Sequence, residues 1–79
     1  MISLSIEQLR SGHQRVTSRV DGRTVRSVDM PVIDRLTAIG VLRAAAFAHE
    51  CAPGVFDLTH IRLNDAARLV LNPEGEGNG

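Results

Sequence analysis

The sequence predicts an α+β domain. The expected form is an antiparallel sheet of about four strands, built from two hairpins, packed on one long central helix. The expected order is β-β-α-β-β, with a short strand or helical turn before the first hairpin. Three stretches carry this reading. Pro31 to Cys51, PVIDRLTAIGVLRAAAFAHEC, is the only run long and apolar enough for a full-length helix. Asp21-Gly22, between two valine-bearing polar runs, is a strong hairpin signal. VFDLTHIRL and AARLVLN flank Asn64-Asp65, a second and weaker turn pair.

Residues 1 to 12 read two ways. Ile2, Leu4 and Ile6 alternate with polar residues as a strand does. Ser5 and Gln8, however, have capping-box spacing, and Gly12 suits the end of a short helix. A brief strand at 2–4 followed by helical turns at 6–11 reconciles the two.

In the first hairpin a two-residue turn pairs Val20 with Arg23, Ser18 with Val25 and Val16 with Ser27. That register turns Val16, Val20 and Val25 toward the helix. It places Arg15, Thr17, Arg19, Thr24, Arg26 and Val28 on the other face, with Arg23 at the tip.

The helix is expected to begin at Pro31, where a missing N–H costs nothing and φ is already helical. Asp29 is the candidate cap, Asp34 adds charge at the positive end of the dipole, and Pro53-Gly54 is the stop signal. Ile33, Leu36, Gly40, Ala44, Phe47 and Cys51 form one apolar stripe at helical spacing. Val32, Ile39, Leu42 and Ala46 form a second. The back, with Ala38, Val41 and Ala45, is hardly more polar. In the second hairpin Phe56, Leu58, His60, Ala67, Leu69 and Leu71 are assigned to the core. Asp57, Thr59, Ile61, Leu63, Arg68 and Val70 lie on the outer face. The apolar back of the helix and the apolar part of that outer face predict self-association through Ala38, Val41, Ala45, Ile61, Leu63 and Val70. A homodimer is the expected state.

Seventy-nine residues make one small domain with a thin core. Residues 1–72 are read as that domain and 73–79, PEGEGNG, as a disordered tail. There is no tryptophan or tyrosine, so packing is aliphatic. Nine basic residues balance nine acidic ones, which removes any global bias toward nucleic acid or an anionic membrane. All nine bases are arginines, the side chain better suited to planar, bidentate recognition. Arg43 interrupts the best apolar run, so no transmembrane helix is expected. The start lacks the pattern of a signal peptide, and a cytoplasmic address is the default.

The sequence offers little chemistry. His49, Glu50 and Cys51 are adjacent and would point in different directions on a helix, so they cannot act as a nucleophile and base together. A cross-fold pairing of Cys51 with His60 reads more simply as two structural residues. No metal-ligand spacing and no glycine-rich phosphate loop is present, so no metal and no cofactor is expected.

The local anomaly is the hairpin. From Arg10 to Val28 it carries five arginines against one aspartate, net plus four, in a chain of zero net charge. Arg15, Arg19, Arg23 and Arg26 are therefore the expected partner-binding residues, directed at an acidic protein surface. Phosphates of a nucleic acid are the alternative, although the hairpin has no aromatic residue for base stacking. A subunit of a larger phage or secretion assembly is the second alternative. In size and outline the layout is similar to small accessory and inhibitor proteins of phages and mobile elements. That likeness is one of size and architecture, carried by no motif; the sparse chemistry of the sequence is what predicts a non-enzymatic interaction module.

Overall fold

A computed structural model describes residues 2–50 and 61–71 of the chain, with the side chains of 49 and 50 excepted. The order of elements is β1 (Ile2–Gln8), β2 (Gln14–Val20), β3 (Arg23–Met30), α1 (Arg35–Glu50), β4 (Ile61–Leu63) and α2 (Asp65–Leu71). The strands form a mixed sheet in the order β3-β2-β1-β4. β1, β2 and β3 make an antiparallel meander, and β4 pairs parallel to β1. β3 and β4 thus lie at opposite edges, and α1 connects them across one face. α1 packs over β2 and β3, while α2 packs over β1 beside α1.

The α+β class stands, but three expected elements change. Residues 2–8 form one continuous strand, because Ile2, Leu4 and Ile6 each find a cross-strand partner in Val20, Ser18 and Val16. The capping-box spacing of Ser5 and Gln8 is overridden by that ladder. Gly12, at φ +96°, serves the loop of a β-hairpin. There Leu9 N–H donates to the His13 carbonyl at 2.8 Å, and the Gln8 amide donates to the Gly12 carbonyl at 3.0 Å.

The helix starts later than Pro31. Asp34 is its N-cap: its Oδ1 accepts from Thr37 N–H at 2.8 Å, and its carbonyl accepts from Ala38 N–H at 3.0 Å. Asp29, the expected cap, lies in β3. The connection from β3 is fixed by Gln14, whose Oε1 accepts from Ile33 N–H at 2.7 Å.

The second hairpin is replaced by a strand and a helix. Asn64 is not a turn residue but the junction between β4 and α2. Its Oδ1 caps α2 by accepting from Ala67 N–H at 2.9 Å. The same oxygen accepts from Ile6 N–H at 3.2 Å, and Nδ2 donates to the Ile6 carbonyl at 3.0 Å. One side-chain amide therefore continues the β1 ladder past the last residue of β4. Phe56, Asp57, Leu58, Thr59 and His60, assigned above to the second hairpin, lie outside the described residues, as do Cys51, the Pro53-Gly54 stop and the tail 73–79.

The core lies between the sheet and the two helices. Leu4, Ile6 and Val16 rise from the strands to meet Ile33, Ala38, Val41, Leu42, Ala67 and Leu71. The helix is rotated about half a turn from the face anticipated from its larger residues. Ala38, Val41 and Ala45 are buried, whereas Leu36 is 80% exposed and Phe47 58%. Alanine at two positions lets the helix axis approach strands that already project branched side chains. Ile61, Leu63 and Val70 also pack against the core. Of the six residues expected to mediate self-association, Ala38, Val41 and Ala45 are thus buried in the chain's own core, and Ile61, Leu63 and Val70 are partly buried against it.

One core position is polar. Ser18, between Leu4 and Arg26 in the sheet, has no solvent exposure and its Oγ has no hydrogen-bond partner. A buried hydroxyl without a partner costs free energy that a methyl group would not. Ser18→Ala is therefore expected to leave stability unchanged or raise it by up to about 1 kcal/mol, read from urea denaturation. A loss of similar size would show that the hydroxyl is bonded in solution. Asn64→Ala should act in the opposite sense, at a cost of about 2–4 kcal/mol, because it removes a helix cap and strands both backbone groups of Ile6. Asn64→Asp keeps the cap but sets an oxygen against the Ile6 carbonyl, so its denaturation midpoint should fall between those of the parent and Asn64→Ala.

Candidate binding face

The helices cover one face of the sheet, and the other carries only polar side chains. The strand registers place them in three rows. Arg62, Ser3, Arg19 and Thr24 form the first, Ser5, Thr17 and Ser27 the second, and Glu7, Arg15 and Asp29 the third. Sequence periodicity explains the composition, since each of these residues alternates with a core residue on its strand. Thr17 sits at the centre of this face and is only 5% exposed. Its hydroxyl lies 3.2 Å from that of Ser27, and Arg19 Nη1 donates to Ser5 Oγ at 3.4 Å.

The hairpin turn is as read: Val20 faces Arg23, and Asp21 and Gly22 both have positive φ, at 51° and 86°. The register beyond it is not. A bulge between Ser18 and Arg19 leaves Val25 without a direct partner, so Ser18 faces Arg26, Thr17 faces Ser27 and Val16 faces Val28. Every residue of β3 after the bulge is therefore on the face opposite to the one expected. Val28 turns inward toward the core, and Val25 is 37% exposed.

The four hairpin arginines do not converge. Arg15 and Arg19 share the open face. Arg26 and Arg23 lie on the helix side of the sheet, opposite Ser18 and Val20. Arg15 is also engaged: its Nε and Nη2 donate to the two carboxylate oxygens of Asp29 at 2.7 and 2.9 Å. Arg19 is joined instead by Arg62, which the expected second hairpin had hidden. The signal for it was the alternation of Ile61, Arg62 and Leu63, legible only once β4 is placed beside β1. Across Ser3, the backbones of Arg19 and Arg62 are about 10 Å apart, twice the strand spacing. Neither arginine forms an ion pair with another described residue.

The face is thus dipolar. Its Arg19–Arg62 end carries two guanidinium groups among the hydroxyls of Ser3 and Ser5. Its other end is net negative, since Asp29 is paired with Arg15 and Glu7 on the neighbouring strand adds a further carboxylate. The hydrogen bonds from Arg15, reinforced by its charge, hold the Asp29 carboxyl below its ordinary pKa. They raise the already high pKa of Arg15 in return.

A second feature flanks α1. Arg26, Val28 and Met30 of β3 and Thr37, Gly40, Val41, Arg43, Ala44 and Phe47 of the helix line an open trough of about 560 Å³. Among the described residues no group of three or more His, Cys, Asp or Glu side chains is placed to hold a metal ion. No described helix is long and apolar enough to cross a membrane. His49 lies in the last turn of α1, with its side chain outside the described set, as are Cys51 and His60. No protein-family model, curated protein or solved structure matches the chain.

Two carboxylates on these elements have depressed pKa values, Asp29 through Arg15 and Asp34 through the hydrogen bonds from Thr37 at its cap. A depressed folded-state value gives stability that is present above the unfolded pKa and lost as pH falls through the folded one. Thermal stability should therefore be level above about pH 5 and decline from about pH 4 downward. Replacing Asp29 by Asn and Asp34 by Ser, which still caps, should flatten the acid limb of the melting temperature plotted against pH. An unchanged slope would mean that other carboxylates control acid unfolding.

Proposed function

We propose that the chain is a non-enzymatic interaction module that docks an acidic protein surface on the open face of its sheet, with Arg19 and Arg62 as the principal contacts. The observation that carries this reading is the pair of guanidinium groups either side of Ser3, Arg62 exposed and Arg19 half-buried, without a carboxylate partner among the described residues. Arginine offers a rigid fork of donors that matches a carboxylate bidentately, and hydroxyls beside it can accept or donate as the partner requires. The surface is also built on strands, so the spacing of the two forks is set by the ladder and little order is lost on binding.

A protein partner is favoured over nucleic acid by the other end of the face. Glu7 and Asp29 lie two strand positions from Ser5 and Ser27 on their own strands, and a continuous phosphate backbone laid across the sheet would meet them. An acidic patch on a folded protein is discrete and avoids that end. No aromatic residue occurs among the open-face positions to stack on bases. The dipolar layout further favours one orientation of the partner, with its acids over Arg19 and Arg62.

The test uses a fluorescein-labelled oligoglutamate peptide and, separately, a labelled random-sequence DNA duplex, titrated at fixed salt. Reversal of Arg19 and Arg62 to Glu should weaken peptide binding by roughly ten-fold or more while leaving the melting temperature within a degree or two. Reversal of Arg35 and Arg68, which lie on the helices, should have little effect. Equal loss from both pairs would mean that bulk charge governs binding. Tighter binding of the duplex than of the peptide would transfer the face to nucleic acid.

A further inference from the structure

The trough between α1 and β3 lies on the opposite side of the sheet from the Arg19–Arg62 face. Its floor is apolar, formed by Val28 and Met30 from the strand and by Gly40 and Ala44 from the helix. Its two banks each carry an arginine, Arg26 on β3 and Arg43 on α1, and neither has a hydrogen-bond or ion-pair partner among the described residues. β3 is also an edge strand of the described sheet, with β2 on one side only. Beyond the bulge at Val25, residues 26–30 run regularly, and Arg26, Val28 and Met30 face the trough.

We infer that this trough receives an extended segment of another protein, which adds to the sheet alongside residues 26–30 of β3. The segment would direct apolar side chains into the trough and carboxylates toward Arg26 and Arg43. Each part of the geometry supplies one requirement of strand addition. The edge offers backbone donors and acceptors, and the trough takes alternate side chains of the incoming strand. The two arginines select the flanking residues by charge. A second copy of this chain is a poor occupant, since docking trough to trough would gather four arginines. The chain's own tail, 73–79, carries Glu74 and Glu76 but no aliphatic or aromatic side chain beyond Pro73.

Gly40 provides a clean test, because a Cβ built there meets no atom within 4 Å and its φ is not in the left-handed region. Gly40→Leu should fill the trough without strain, and leucine is the better helix former. The probe is a soluble synthetic nonapeptide alternating leucine with threonine and ending in glutamate at both ends. Its control has lysine at both ends. With the full chain, the glutamate peptide should shift backbone amide resonances of residues 26–30 and 40–47, and should bind roughly ten-fold more tightly than the lysine control. Gly40→Leu should abolish that binding with the melting temperature maintained or raised. Arg26→Glu with Arg43→Glu should reverse the preference between the two peptides. Arg19→Glu with Arg62→Glu should leave it unchanged, so the fate of this site is independent of the open face. Absence of binding, perturbation confined to the open face, binding undiminished in Gly40→Leu, or a doubled mass with the trough resonances shifted in the unliganded protein would each overturn the proposal.

Discussion

The Asn64 side chain holds together parts of the chain that little else joins. β4 contributes only Ile61 to Leu63 to the sheet, and a parallel ladder of three residues is weak by itself. Asn64 extends it by bonding both backbone groups of Ile6, then caps the helix that follows. That helix, α2, has seven residues, too few to persist without a cap and tertiary packing. Its buried residues, Ala67 and Leu71, close the core over β1. The β1 edge, the α2 cap and part of the core therefore share one amide.

With that edge secured, the sheet separates two kinds of surface. One face is aliphatic and covered, and the helix comes close because Ala38 and Ala45 present only a methyl group. The other face carries hydroxyls, guanidinium groups and, at one end, the carboxylates of Glu7 and Asp29. The energetic weight of the charges differs accordingly. The Arg15–Asp29 pair is bidentate but exposed, where solvent screening leaves an ion pair little net stability. Its larger effect is to cancel the charge of Arg15 and leave Arg19 and Arg62 as the cations of the face without a carboxylate partner among the described residues.

The bulge at Val25 links the two proposed surfaces. Without it Arg26 would join Arg19 on the open face, and the hairpin would carry a single basic patch. With it the arginines divide, Arg19 toward the open face and Arg26 toward the trough beside α1. A one-residue irregularity in the ladder thereby divides a concentration of charge in sequence between the two sides of the sheet. It also interrupts the β3 edge near the hairpin tip, which leaves residues 26–30 as the regular stretch open to another strand.

Local chemistry alone determined several features. Asp21-Gly22 specifies its turn because both residues must adopt positive φ, and glycine and aspartate tolerate it. The α+β class, the long helix and the inward valines at 16 and 20 follow from periodicity, as does the polar character of the strand face bearing Arg15 and Arg19. Tertiary structure decided the rest. Which side of α1 is buried depends on how closely the helix can approach the strands, and its sequence is apolar nearly all round. Asn64-Asp65 is compatible with a turn and with a helix cap, and only the backbone of Ile6 nearby selects the cap. Residues 2–8 become a strand because Val16, Ser18 and Val20 are there to pair with them. Arg62 joins Arg19 only because α1 carries the chain across the sheet and returns β4 beside β1. Each of these depends on contacts between residues distant in sequence, whose free energy exceeds the local preferences that the amino acids express alone.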